Sequence, residues 1–119
     1  MRLHVVLASL AMATAPASAP VLAAGACTDT AIVRIEPRLQ GAPGSGVFVA
    51  YADGVSQVSY RVLPPVQRSR AGDPVRLCVQ SRPAGCPKGD TRGAVYSAFN
   101  RRTGETWSAA DSSHLCGGA

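Results

Sequence analysis

Asp111-Ser112-Ser113-His114, close to the C-terminal end, contains the residue types of nucleophilic hydrolysis. In that chemistry a histidine takes the serine proton and a carboxylate orients the ring, but the groups come from separate elements and need an oxyanion hole. Four consecutive residues lack that separation, so a polar loop is the simpler expectation and a small hydrolase using His114 is the alternative. Asp90, Glu105 and Asp111 are the carboxylates available for a glycosidase pair, which requires one carboxyl with a raised pKa in an apolar pocket. Asp90 stands between Lys88 and Arg92, and two cations lower its pKa instead. Cys78, Cys86, His114 and Cys116 match a metal set by type, yet thiolates oxidise to disulfides outside the cytoplasm. Gly44-Ser45-Gly46 has no lysine after it, so it is not a phosphate-binding loop. No catalytic residue, metal or cofactor is expected.

Binding is the other chemistry on offer. Arg101, Arg102 and Trp107 border one predicted hairpin, with Tyr96 on its first strand. An arginine presents a planar fork suited to carboxylates, and an aromatic face adds a cation–π contact. These four residues are the candidate binding edge, with the two arginines exposed and neutral to stability. Trp107 has a competing assignment, because an indole dominates the burial open to a small domain. The chain carries 12 Lys+Arg against 7 Asp+Glu, a formal charge of +5, with Lys88 its single lysine. The arginines are scattered from Arg34 to Arg102, and an acidic protein or envelope component suits them. Nucleic acid is not expected as a partner, given export and so modest a charge.

Export is read from the start of the chain. Arg2 is followed by an apolar run from Leu3 to Ala15 and then by small residues through Ala24, the order of a secretory signal peptide. The run is about a dozen residues, whereas a membrane-crossing helix needs roughly 20. No transmembrane segment is expected. Residues 1–23 are read as the signal and 24–119 as one exported domain, with cleavage after Ala23 or Ala24. A cut before Cys27 would resemble lipoprotein processing, but Ala24 occupies the position where that signal favours leucine.

The exported part is about 95 residues, enough for one domain with a marginal core. Cys27, Cys78, Cys86 and Cys116 all follow the signal, and an even count in a small exported domain predicts two disulfides. Of three pairings, Cys78–Cys86 closing a short hairpin and Cys27–Cys116 joining the two ends is favoured.

The elements that must position these groups are strands. From Thr30 onward no window shows helical spacing. Ala31 to Ile35 reads as a strand ended by Pro37, and Gln40 to Gly46 as a loop. Val47 to Tyr51 and Val55 to Leu63 form a hairpin around Asp53-Gly54, with Val58, Tyr60 and Val62 on one face. Val66 to Gly72 reads as an exposed connection. Val75, Leu77 and Val79 alternate with polar neighbours. Cys86 to Gly93 is a loop, Ala94 to Ala109 a hairpin that buries Val95, Phe99 and Trp107, and Gly117-Gly118-Ala119 a free tail. About six strands at this spacing predict an all-β antiparallel sandwich or partly open barrel, stabilised by disulfides.

Ala71-Gly72-Asp73-Pro74-Val75-Arg76-Leu77-Cys78-Val79, with Gly93-Ala94-Val95-Tyr96 and the Thr103-Gly104-Glu105 turn, resembles the G-D-x-V-x-L strand and aromatic hairpin of uncharacterised exported bacterial β-domains. That likeness implies a β-sandwich and assigns no activity. Gly93-x-x-Tyr96 followed by Trp107 is also similar to a motif of the bacterial inhibitors of c-type lysozyme, which implies an exported, disulfide-bonded barrel. Arg92 replaces the usual serine there, the downstream Lys-Gly element is missing, and positive charge opposes a basic enzyme. The expectation is a non-enzymatic periplasmic or secreted binding module. The His114 hydrolase and a lysozyme-inhibitor-like protein are the alternatives.

Overall fold

The computed structural model describes residue 5, residues 7–12 and residues 22–118. Most of the expected signal peptide, residues 1–4, 6 and 13–21, lies outside the described residues. Among the described residues, no helix is long and apolar enough to cross a membrane.

Six antiparallel strands make the fold: β1 (Cys27–Leu39), β2 (Ala42–Tyr51), β3 (Ser56–Ser59), β4 (Pro74–Ser81), β5 (Val95–Asn100) and β6 (Thr106–Ala110). One four-residue helical turn, α1 (Pro64–Gln67), follows β3. The sheet closes on itself in the order β1-β2-β3-β6-β5-β4. A closed barrel, rather than a sandwich or an open one, leaves no unpaired edge strand.

Closure depends on β1. Its first residues, Cys27 to Ala31, pair with β4, and from Ile32 onward it pairs with β2. Register shifts fall between Ile32 and Arg34 and between Pro37 and Leu39. An extra residue bends a strand and strengthens its twist, which lets one strand serve two neighbours. Pro37 does not end the strand as expected: it faces Val47 in register, immediately before the second irregularity. β2 accordingly begins at Ala42, within the predicted loop. Gly46 holds φ +114, and a Cβ there would overlap the Ser59 carbonyl oxygen, so only glycine lets β2 and β3 approach this closely.

Ile32, Val47, Val49, Tyr51, Val75, Leu77, Val79, Tyr96, Ala98 and Trp107 fill the barrel. The alternation of β4 is as predicted, and the β5–β6 hairpin forms around Arg101 to Glu105. One face is inverted relative to expectation. On β5 the inward residues are Tyr96, Ala98 and Asn100, leaving Phe99 exposed and Val95 only partly buried. On β3, Gln57 points inward, and Tyr60, just beyond the strand, is 62% exposed. A slip of one residue reverses every side chain of a strand. The connection after β3 is not simply exposed either, because Val66 of α1 plugs the core at 1% exposure.

The disulfides are Cys27–Cys78 and Cys86–Cys116, which corrects the favoured pairing. Register decides the first: Cys27 lies directly opposite Cys78 on β1 and β4, with Cα atoms 4.0 Å apart. For the second, the Asp111 N–H bonds to the Ala94 carbonyl, which turns the chain after β6 back beside the start of β5 and the Cys86 loop. The C-terminal tail is tied as well, by the Gly117 N–H donating to Asp90 Oδ2 at 3.0 Å.

Candidate binding surface

The hairpin between β5 and β6 was the expected binding edge, and its residues separate into core and clamp. Trp107 is 6% and Tyr96 7% exposed, both facing inward. Trp107 Nε1 donates to Gln57 Oε1 at 2.8 Å, and the Tyr51 hydroxyl donates to the same oxygen at 2.5 Å. Gln57 Nε2 donates to the Tyr96 carbonyl at 2.8 Å and the Ala109 carbonyl at 3.4 Å. A buried amide needs all its bonds met, and here both of its ends are. Burial pushes the Tyr51 hydroxyl far above its ordinary pKa, so it stays a neutral donor.

Arg101 and Arg102 lie at the turn and are both ion-paired. Arg101 meets Asp29 at 2.8 Å. Arg102 binds Asp73 through Nε at 2.6 Å and Nη2 at 2.9 Å, and also donates to the Arg68 carbonyl. Asp73 is buried, and it further accepts from Asn100 Nδ2 at 2.8 Å and from the Arg70 N–H at 3.0 Å. Hydrogen bonding to Arg102, then to Asn100 and the Arg70 N–H, outweighs desolvation and holds the Asp73 carboxyl well below the usual range. Arg68 closes the group by pairing with Glu105 at 2.7 Å. Arg102, exposed as expected, therefore ties the β5–β6 turn to Asp73 just ahead of β4 and to the loop after α1, so a stability cost rather than neutrality is the prediction for its loss.

An open pocket of about 360 Å³ lies on the outer wall instead, lined by Arg38, Phe48, Ser56, Val58 and Asp111 to His114. It sits where the barrel ladder is thinnest, since β3 and β6 pair only at Val58 and Ala110. There the seam is held by side chains: Ser56 Oγ donates to the Asp111 carbonyl at 3.2 Å, and the Tyr60 hydroxyl to the Ser113 carbonyl at 3.4 Å. Phe48 and Val58 are cross-strand partners on β2 and β3 and form the apolar floor.

Two arginines of β1 stack over this wall. The Arg34 guanidinium is 5.4 Å from the Phe48 ring centre and that of Arg38 is 4.2 Å from the Tyr60 ring centre. Arg34 is also paired with Glu36 at 3.3 Å. Arg38 Nε donates to the Ser45 carbonyl at 2.8 Å, and among the described residues no carboxylate pairs with Arg38. Arg38 is thus ordered by a ring and a carbonyl, with its terminal nitrogens uncommitted. Sequence reasoning missed this wall. The period-two run Arg34, Glu36, Arg38 on a β-branched strand was the available signal for an outward charged face, but the stacking partners depend on register.

The Asp111 to His114 segment enters this pocket without making a triad. The bond among its members is from the His114 backbone N–H to Ser112 Oγ, at 3.1 Å. Asp111 Oδ1 accepts the Gly93 N–H at 2.8 Å. No imidazole hydrogen bond to Ser112, Ser113 or Asp111 is present among the described residues. Asp90, paired with Arg92 at 2.9 Å, has its carboxyl held well below the usual range, by Arg92 first and the Gly117 N–H next. That is the direction expected, and opposite to what an acid catalyst needs. All four cysteines are in disulfides, and no group of His, Cys, Asp and Glu suited to a metal occurs among the described residues.

No family model matches the chain, and no curated protein or solved structure matches it.

Proposed function

We propose that this chain is an exported, non-enzymatic binding module, periplasmic or secreted, that engages an acidic protein or envelope component through the outer wall of β1, β2 and β3. Two disulfides support an oxidising compartment, because thiols stay reduced in the cytoplasm. The observation that carries the binding role is the wall itself: Arg38 stacked on exposed Tyr60, and Arg34 on Phe48, beside an open pocket. Ordered arginines next to aromatic surface are the residue types that anchor interfaces.

Capture from an envelope extract tests the reading. The protein should retain an acidic partner, an Arg38→Ala/Tyr60→Ala variant should lose it, and Arg101→Ala should keep it. Equal capture by all three would refute the wall as the binding surface. Intact mass of the exported protein should show an amino terminus near Ala24, and a mass retaining Met1 would refute export with signal removal. The hydrolase alternative draws on the presence of Asp111, Ser112, Ser113 and His114 in this same pocket. A His114→Ala variant that keeps every activity of the wild type removes it.

A further inference from the structure

The pocket on the wall combines three features that together describe a ligand. Arg38 lies at its edge, preordered by the Tyr60 ring and the Ser45 carbonyl, so little further entropy is lost when its planar fork meets a carboxylate. Phe48 and Val58 supply an apolar floor. Asp111 lines this cavity and also the neighbouring one beside Thr91 and Tyr96; Gly93 takes its Oδ1, and Oδ2 accepts no hydrogen bond among the described residues. A fixed cation, an acceptor carboxylate and an apolar patch in one small cavity are the complement of an α-amino carboxylate with an apolar side chain. Ser112 and Ser113 also line the cavity, with Ser112 Oγ accepting the His114 N–H. A volume of about 360 Å³ is near the lower end for ligand sites, the size for one such unit rather than a long segment.

Resting on the reading of the wall as a binding surface, we infer that this pocket binds an apolar or aromatic α-amino carboxylate unit. Its carboxylate pairs with Arg38, its amino or amide N–H donates to Asp111, and its side chain lies on Phe48 and Val58. The unit is a free amino acid or the last residue of a polypeptide, which present the same groups to these residues. A carboxylate alone would leave Asp111 as an unfavourable neighbour, whereas a unit bearing an N–H donor gives it a role.

Titration of the oxidised protein, followed by amide and side-chain NMR, decides the matter with three probes: L-phenylalanine, N-acetyl-L-phenylalanine and L-phenylalaninamide, each to about 10 mM, where binding of order 1 mM is well resolved. The two carboxylates should shift resonances of Phe48, Val58, Ser113 and His114, and the amide should not. Arg38→Gln should weaken binding about tenfold or more, the loss expected of a charge-assisted bidentate contact. Tighter binding of free phenylalanine identifies a free amino acid as the natural ligand, and tighter binding of the acetylated form a chain terminus. No localised shift with either carboxylate, equal binding of the amide, or unchanged affinity in Arg38→Gln would overturn the inference. Wall-dependent capture that persists without probe binding refutes this ligand and leaves the wall standing. Probe binding without wall-dependent capture supports the ligand and refutes the macromolecular partner.

Discussion

The arginines at the β5–β6 turn and Arg38 on the β1 wall are chemically identical and differ in what restrains them, whereas Arg34 on the same wall is paired with Glu36 as the turn arginines are with their carboxylates. At the turn, Arg101, Arg102 and Arg68 are held by Asp29, Asp73 and Glu105, so their charge is spent within the molecule. On the wall, Arg38 is restrained by a ring face and a backbone carbonyl, neither of which neutralises it. A guanidinium that is ordered and uncompensated has affinity left for an outside carboxylate, while one already forked onto an aspartate would first have to break that pair. Position at a loop tip is therefore a poorer guide to binding than the identity of the restraining group.

Substitutions separate stability from recognition along this contrast. The largest loss belongs to the core both regions stand on: Trp107→Ala should cost about 3 to 5 kcal/mol by chemical denaturation, through lost burial and an unpaired side of Gln57 Oε1. A loss under 1 kcal/mol would show that the β3–β6 seam does not depend on the indole. Next come the crosslinks. The loop-entropy relation gives about 4 kcal/mol for Cys27–Cys78, which spans 51 residues, and slightly less for Cys86–Cys116, which spans 30. Paired serine variants of each bridge should fall in that order, and a reversed order would locate strain or residual structure that chain entropy omits.

The turn is expected to respond to acid. The Asp73 pKa is depressed on folding, so its contribution is present above the ordinary carboxylate pKa, near 4, and is lost as pH falls through and below that value. Stability measured from pH 7 downward should decline below about pH 5, and Asp73→Asn should be less stable at pH 7 by about 2 to 3 kcal/mol with a flatter acid limb. An unchanged acid limb would mean that other carboxylates carry the acid sensitivity. The smallest effect sharpens the comparison most: Arg102→Ala should lower the melting temperature more than Arg101→Ala. Arg38→Ala should stay within about 0.5 kcal/mol of wild type yet lose the partner. If Arg38→Ala destabilises as much as Arg102→Ala, its stacking on Tyr60 is structural and the contrast between the two regions collapses.

The sequence by itself determined the class of structure and much of its local form. Apolar alternation in β4, Asp53-Gly54 and Gly104 at turns, and the absence of helical spacing all follow from short-range backbone preferences, so six strands and the last hairpin were legible. An even set of cysteines likewise predicted two bridges. Tertiary structure alone decided which cysteines met, because Cys27 reaches Cys78 only when β1 closes the barrel against β4. It decided that Gln57 rather than Val58 faces inward, because Trp107 and Tyr51 satisfy the amide oxygen and the Tyr96 and Ala109 carbonyls its nitrogen. It also decided that Arg102 is a clamp and Arg38 an open guanidinium. Each of these depends on pairing between residues distant in the chain, and a one-residue difference in register, which local composition does not encode, reverses which side chains meet.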